Sequence, residues 1–145
     1  RISLDYIEVL CILHQCKSRS ASTMTNITKD LVAASATPLV LGILAEGESY
    51  GYAILKRVSD LSGGQLQWTD GMLYPLLHRL ERLGHIEASW GSGETGRKRK
   101  YYRITKHGHG VLNDQRRQWQ LVDDALRRIW HESRMGSTAT PTRAG

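Results

Sequence analysis

The sequence predicts a mainly α, α+β fold: a winged helix-turn-helix followed by one long C-terminal helix. Three observations predict it. Short apolar helices are marked off by capping residues and glycines up to Gly84, an alternating apolar–polar hairpin follows, and an amphipathic stretch then runs from Thr105 to about Arg134. Other α+β domains share this order, so the local chemistry has to decide between them.

The elements follow from their punctuation. Thr37 before Pro38 predicts a helix start, with an apolar helix to about Ala45 broken by Glu46-Gly47-Glu48. Ser49 is placed to cap a second helix, Tyr50 to about Leu61, with Ala53, Ile54 and Val58 among its apolar positions; Ser62-Gly63-Gly64 ends it. Thr69 is placed to cap the third helix, and Asp70 is favourable in its first turn. Leu73, Leu76, Leu77, Leu80 and Leu83 fall at helical spacing and define a buried face, closed by Gly84. Ile86, Ala88 and Trp90 then alternate with Glu87 and Ser89 as in a half-buried strand. Residues 91–96 (GSGETG) form a flexible tip, Lys100 to Ile104 a return strand, and Thr105 starts the last helix.

The 145 residues, 40% of them hydrophobic, suffice for one compact domain with modest extensions. The expected divisions are an N-terminal extension over 1–36, a winged-helix domain over 37–105, a C-terminal helix over 106–134 and a small, polar, disordered tail over 135–145. Within the extension, KSRSASTMTN (Lys17 to Asn26) has the composition of a linker, and Met24 would be a natural start codon. The residues before it are either an upstream addition or an amphipathic helix bearing Leu4, Ile7, Val9, Leu10 and Leu13.

Composition narrows the function classes. The longest apolar run, Pro38 to Ala45, falls well short of the ~20 residues a membrane helix needs. The first residues carry Asp5 and Glu8 and no small-residue cleavage site, so a cytoplasmic location and no membrane partner are expected. A net charge of +6 suits a polyanionic partner without demanding one. Cys11 and Cys16 lie more than one helical turn apart with no second pair to complete a zinc site, and are expected to be ordinary thiols. His107 and His109 resemble half a metal site that no suitably spaced third ligand completes. With no nucleophile motif, carboxylate pair or phosphate-binding glycine loop, neither an enzyme nor a cofactor is expected.

If the leucines of the third helix point inward, the opposite face shows Met72, Pro75, His78, Arg79 and Arg82, with Tyr74 at its border. An idle exposed helix usually carries Glu and Lys pairs. Here the first turns carry Thr69, Gly71, Met72, Tyr74 and Pro75, small or apolar groups able to approach base edges and thymine methyls. Gly71 and the helix N-terminus suit a nearby phosphate. Pro75 lies a full turn inside the helix, where it shortens or kinks the start. Tyr74 and Pro75 could equally pack on a neighbouring element, and both readings stay open.

Three stretches together resemble the DNA-binding domain of the PadR family of bacterial transcriptional regulators: LVLGILAEGESYGYAI (Leu39 to Ile54), GMLYPLLHRLERLGHIEASW (Gly71 to Trp90) and RKYYRITKHG (Arg99 to Gly108). They cover about half the chain, in the family's order and spacing. The resemblance implies a dimeric repressor of double-stranded operator DNA, with the third helix, Thr69 to Leu83, in the major groove and a wing on the adjacent backbone or minor groove. It implies DNA-facing roles for Gly71, Met72, Tyr74, Pro75, His78 and Arg79, and a phosphate contact through Tyr50 or Tyr52, with packing of both at the helix entrance as the other reading. In the wing, Arg97, Lys98, Arg99, Lys100 and Tyr101 are expected to hold DNA, the cations clustering at the tip. Ala53 stands where the family often has an acidic residue, which leaves the operator sequence open.

The last helix has a seam of its own. Leu112, Gln115, Trp119, Val122, Leu126 and Ile129 are spaced as a heptad, and between them Arg116, Arg117, Asp123, Asp124, Arg127 and Arg128 form a charged face. Such a helix cannot bury itself on a small winged domain, so pairing with a second copy is expected, and a winged-helix protein–protein assembly module that uses this face without DNA is the alternative reading. The run QWQLVDDAL (Gln118 to Leu126) also resembles the region where multidrug-binding relatives stack flat aromatic compounds on a tryptophan. That implies an aromatic effector held by Trp119, Val122, Asp123 and Leu126, with Asp123 or Asp124 favouring cationic ligands. A plain dimer-core tryptophan remains the other reading of Trp119, and Trp130 is expected to be a packing anchor near the helix end.

Overall fold

The computed structural model describes residues 27–135. The linker, Met24, the two cysteines and the tail from Gly136 lie outside the described residues. The order is α1 (Lys29–Glu46), β1 (Ser49–Tyr50), α2 (Gly51–Leu61), α3 (Asp70–Arg82), β2 (Ile86–Ser92), β3 (Lys98–Ile104) and α4 (Lys106–Met135). The antiparallel sheet has the order β1-β3-β2, with Ser49 opposite Tyr102, Tyr50 opposite Tyr101, and Ile86 opposite Ile104 at the base of the hairpin. This is the expected winged helix-turn-helix with a long terminal helix.

The first helix is longer than expected. It begins at Thr28, whose side chain accepts a hydrogen bond from the Leu31 N–H, and Asp30 supports its first turn. Pro38 is inside the helix instead of at its start, and the expected division at residue 37 falls within α1. A proline forgoes one i→i−4 hydrogen bond, and the alanine-rich turn before it, together with burial of Val40, Leu41, Ile43 and Leu44, offsets that loss. Ser49 does not cap α2. It pairs with Tyr102 in β1, and Tyr50 takes the cap position with no side-chain bond.

The core lies between the helices and the inner face of the sheet. Ile54 and Val58 of α2, Leu73, Leu77 and Leu80 of α3, Ile86 of β2 and Tyr102 of β3 close over the apolar face of α1. Leu76 is only half-buried and Leu83 is exposed, so the leucine face of α3 is narrower than its spacing implied. Truncating any of its three buried leucines to alanine typically costs about 2–5 kcal/mol. Trp68, which the sequence leaves in a plain connector, is buried in the same cluster. Gly63 and Gly64 end the second-helix region with positive φ, and Gly84, at φ 74°, turns the chain from α3 into β2.

Thr105 joins hairpin to α4. Its hydroxyl donates toward the Gly84 and His85 carbonyls at 2.6 and 3.1 Å and accepts the Gly108 N–H at 3.0 Å. The approach is so close that a Cβ on Gly108 would stand 2.0 Å from the His85 carbonyl oxygen. From there α4 packs on α1 through its first turns and then projects away.

Candidate nucleic-acid interface

Three buried leucines fix the rotation of α3, and that rotation decides what faces out. Gly71, Pro75, His78 and Arg82 are exposed along one arc. Thr69 and Asp70 are exposed at the helix start, where Thr69 holds the cap position without a side-chain bond. The flanks are partly committed. Met72 is half-buried against the core, and the Arg79 guanidinium donates to the Thr37 hydroxyl of α1 at 3.2 Å. Arg82 shares the outward arc with His78 and Pro75 at helical spacing and belongs with the candidate contacts, although the resemblance does not assign it.

Tyr74 sits on the opposite flank. Its phenol occupies the place where a Gly51 side chain would begin, with the oxygen 2.6 Å from an ideal Cβ there. The tyrosine is therefore packed against the start of α2 and partly exposed, which combines the two readings open for it, whereas Pro75 is exposed. The glycine of the YGY stretch and the tyrosine of the LYP stretch thus form one contact. Tyr52 is 69% exposed at the α2 start, free to reach outward, while Tyr50 is half-buried.

The wing differs from expectation in where its cations lie. β3 begins at Lys98, opposite Ser92, so Lys98, Arg99 and Lys100 stand within the ladder and only Arg97 remains in the turn. The tip is closed by backbone bonds from Gly93 N–H to Arg97 and from Gly96 N–H to Gly93. Alternation divides the cations between the two faces. Arg99 lies over the Tyr50 ring at 4.5 Å, and Tyr50 meets Tyr101 edge-on with centroids 5.7 Å apart. Lys100 points the other way, to the Glu81 carboxylate of α3 at 3.3 Å, with its ammonium 5.4 Å from the Tyr102 ring centroid. Burial, with Tyr74 and Glu81 close by, raises the pKa of the Tyr102 hydroxyl above the ordinary phenol value. The half-buried ion pair contributes about 1 kcal/mol, but it draws wing and α3 together.

Trp90 is the largest departure on the wing. Expected to be half-buried beside Ile86 and Ala88, it is 72% exposed. The core under the sheet ends at Ala88 and Tyr102, and the hairpin extends past it.

At the other end of β2, His85 stacks on His107 with centroids 4.9 Å apart and rings 17° from parallel. Burial first, then the neighbouring His107 and Arg79, lowers the His85 pKa from the ordinary imidazole value. Its Nδ1 is buried with no hydrogen-bond partner. No group of three or more metal-ligating side chains occurs among the described residues.

The α4 seam divides in two. Leu112 is 3% exposed and belongs to the core of its own chain, and Gln115 is half-buried, which removes Leu112 from the expected dimer seam. Its burial follows from its place in the second turn, where α4 still packs on α1. Trp119, Val122, Leu126 and Ile129 are all exposed, and Trp130 is exposed as well instead of anchoring anything within the chain. Asp123 is held by Arg127 at 2.7 Å, which weakens its pull on a cationic ligand. No helix among the described residues is long and apolar enough to cross a membrane.

Comparison with known proteins agrees with this geometry. An uncharacterised protein of Lysinibacillus sphaericus is 31% identical over 100 residues, spanning 69% of this chain and 92% of that one. The Escherichia coli transcriptional regulator YqjI is 25% identical over 89 residues, which cover 61% of this chain and 41% of YqjI. Among solved structures, a transcriptional regulator from Clostridium thermocellum superposes with a TM-score of 0.63 at 30% identity, covering 69% of this chain and 97% of its own. A PadR-like regulator from Bacillus cereus gives 0.64 at 26%, covering 70% and 97%. A PadR family regulator from Eggerthella lenta gives 0.60 at 27%, covering 88% and 97%. The model of the transcriptional regulator PadR-like family matches residues 40–114, just over half the chain. With the helix order, the wing and three sequence stretches all in agreement, the chain belongs to the PadR-like family of transcriptional regulators.

Proposed function

We propose that this chain binds double-stranded DNA as a homodimer and represses transcription from a palindromic operator. The observation that carries the reading is the outward arc of α3: Gly71, Pro75, His78 and Arg82 are exposed beside a wing bearing four consecutive cations. α3 supplies base contacts in the major groove, with Tyr74, Met72 and Arg79 at its margins. Tyr52, Arg97, Lys98 and Arg99 supply phosphate contacts, which position the protein without reading sequence. The exposed α4 residues Trp119, Val122, Leu126 and Ile129 pair with those of a second copy and set two reading helices on one face of the duplex.

The finer part of the proposal is release by a planar aromatic effector stacked on Trp119, a residue 37% exposed at the start of the seam that continues through Val122 and Leu126. The Asp123–Arg127 pair favours a second reading, a regulator that needs no effector. Footprinting on DNA upstream of the chain's own gene, with and without a planar aromatic compound, separates these. Protection that fades with the compound supports the full proposal, and protection that persists supports the effector-independent regulator. No protection at all would sink both.

A further inference from the structure

We infer that Trp90 is a contact of the wing with the DNA backbone, its indole lying against deoxyribose beside the groove that α3 enters. The inference rests on the DNA-binding reading above and adds a residue that neither the family resemblance nor the charge pattern assigns. It starts from register. Trp90 is directly opposite Lys100, so the two share one face of the hairpin. Lys100 reaches Glu81 in the last turns of α3. The face that carries the indole is therefore the face turned toward the proposed reading helix. Ile86 and Tyr102 of that face are buried, and Trp90 continues their row past the end of the core into solvent.

The occupant follows from the charge around it. Lys98 is exposed on the same face, one pair further out, and Arg97 follows in the turn. The carboxylate of Glu81 is answered by Lys100, and that of Glu87, on the opposite face, by Arg103. Glu94 at the tip is the acidic group nearest the outer end of the hairpin. An exposed indole with Lys98 and Arg97 beyond it on the hairpin suits a surface that is anionic at its edge and apolar between the charges, which describes the sugar–phosphate backbone. A flat ring packs on the sugar, and the indole N–H is available to a phosphate oxygen. Such a contact does not depend on base sequence.

The test uses the full chain, its Trp90→Ala and Trp90→Phe variants, and two short labelled duplexes of unrelated sequence at low salt, read by fluorescence anisotropy. Trp90→Ala should weaken both duplexes by the same factor, about tenfold, the usual scale for removing one aromatic side chain that packs on nucleic acid. Trp90→Phe should recover most of the affinity. The Trp90 share of the emission, taken as wild type minus Trp90→Phe, should become shielded from iodide when either duplex is added. Wild-type affinity for both duplexes in a Trp90→Ala protein with an unchanged circular dichroism spectrum would overturn the inference and leave a protein partner as the occupant. Weakening on one duplex alone would overturn it in favour of a base contact. A wild-type chain that binds neither these duplexes nor DNA upstream of its gene would overturn the DNA-binding reading itself, and this inference with it.

Discussion

The region around α3 and the distal part of α4 treat their apolar residues in opposite ways. Leu73, Leu77 and Leu80 are buried within one chain, and they leave the arc of Gly71, Pro75, His78 and Arg82 exposed. Beyond Gln115, α4 keeps the same amphipathic spacing, yet Val122, Leu126, Ile129 and Trp130 remain exposed. The first region is covered by its own chain, and the second is exposed among the described residues. One amphipathic pattern can build a core or advertise an interface, and the difference is whether the helix still has a neighbour within its own chain. For α4, burial within its own chain falls away after Gln115 and Arg116.

The largest expected effect comes from breaking the incomplete half. Leu126→Glu combined with Ile129→Glu should leave a folded monomer in sedimentation, because neither residue supports the core. On the proposed dimeric reading it should also lower affinity for operator DNA by a factor on the order of 100 or more, since binding at the second half-site would cease to be intramolecular. Unchanged mass and affinity would show that the exposed seam has no partner.

The junction between the two halves comes next. Gly108→Ala puts a methyl group 2.0 Å from the His85 carbonyl oxygen and 2.8 Å from the Ile104 side chain, a clash with backbone that no rotamer change relieves. It should cost about 3 kcal/mol in denaturant unfolding. Third is the wing. Replacing Arg97, Lys98 and Arg99 by alanine should weaken all DNA sequences alike and flatten the dependence of log K on log salt by about one for each phosphate no longer neutralised. Since Arg99 also covers Tyr50, the single Arg99→Ala change should show part of this effect. An unaltered slope in the triple variant would remove the wing from the interface.

The smallest effect concerns pH. The folded state lowers the proton affinity of His85, so the unfolded chain binds more protons just below the ordinary imidazole pKa of about 6.5. Stability should therefore rise with pH through that window and level off above it. His85→Gln should flatten the rise, and an equal rise in the variant would place its origin elsewhere.

Much of this is legible in the sequence, for identifiable reasons. The place and direction of α3 follow from leucine spacing and from Gly84, which depend only on the local chain. The cap at Thr37 misleads because a Thr-Pro pair looks like a helix start wherever it occurs, and only the packing of Val40 to Leu44 carries α1 through the proline. Trp90 departs from expectation because alternation gives the face of a side chain but not how far the core extends beneath it. The cations of 97–100 are legible as a cluster, whereas their division between Tyr50 on one face and Glu81 on the other depends on register. Leu112 matches the heptad, yet α1 covers it, and spacing along one helix carries no information about its neighbour.

A dyad-symmetric complex with operator DNA is tested most directly by nucleotide-resolution footprinting of the wild-type protein on the DNA upstream of its own gene. Two protected half-sites related by a dyad are expected, their centres one helical turn or a small multiple apart, ~34–36 Å for one turn. Protection of a single patch without a dyad, or none at concentrations where the protein is dimeric, would contradict it.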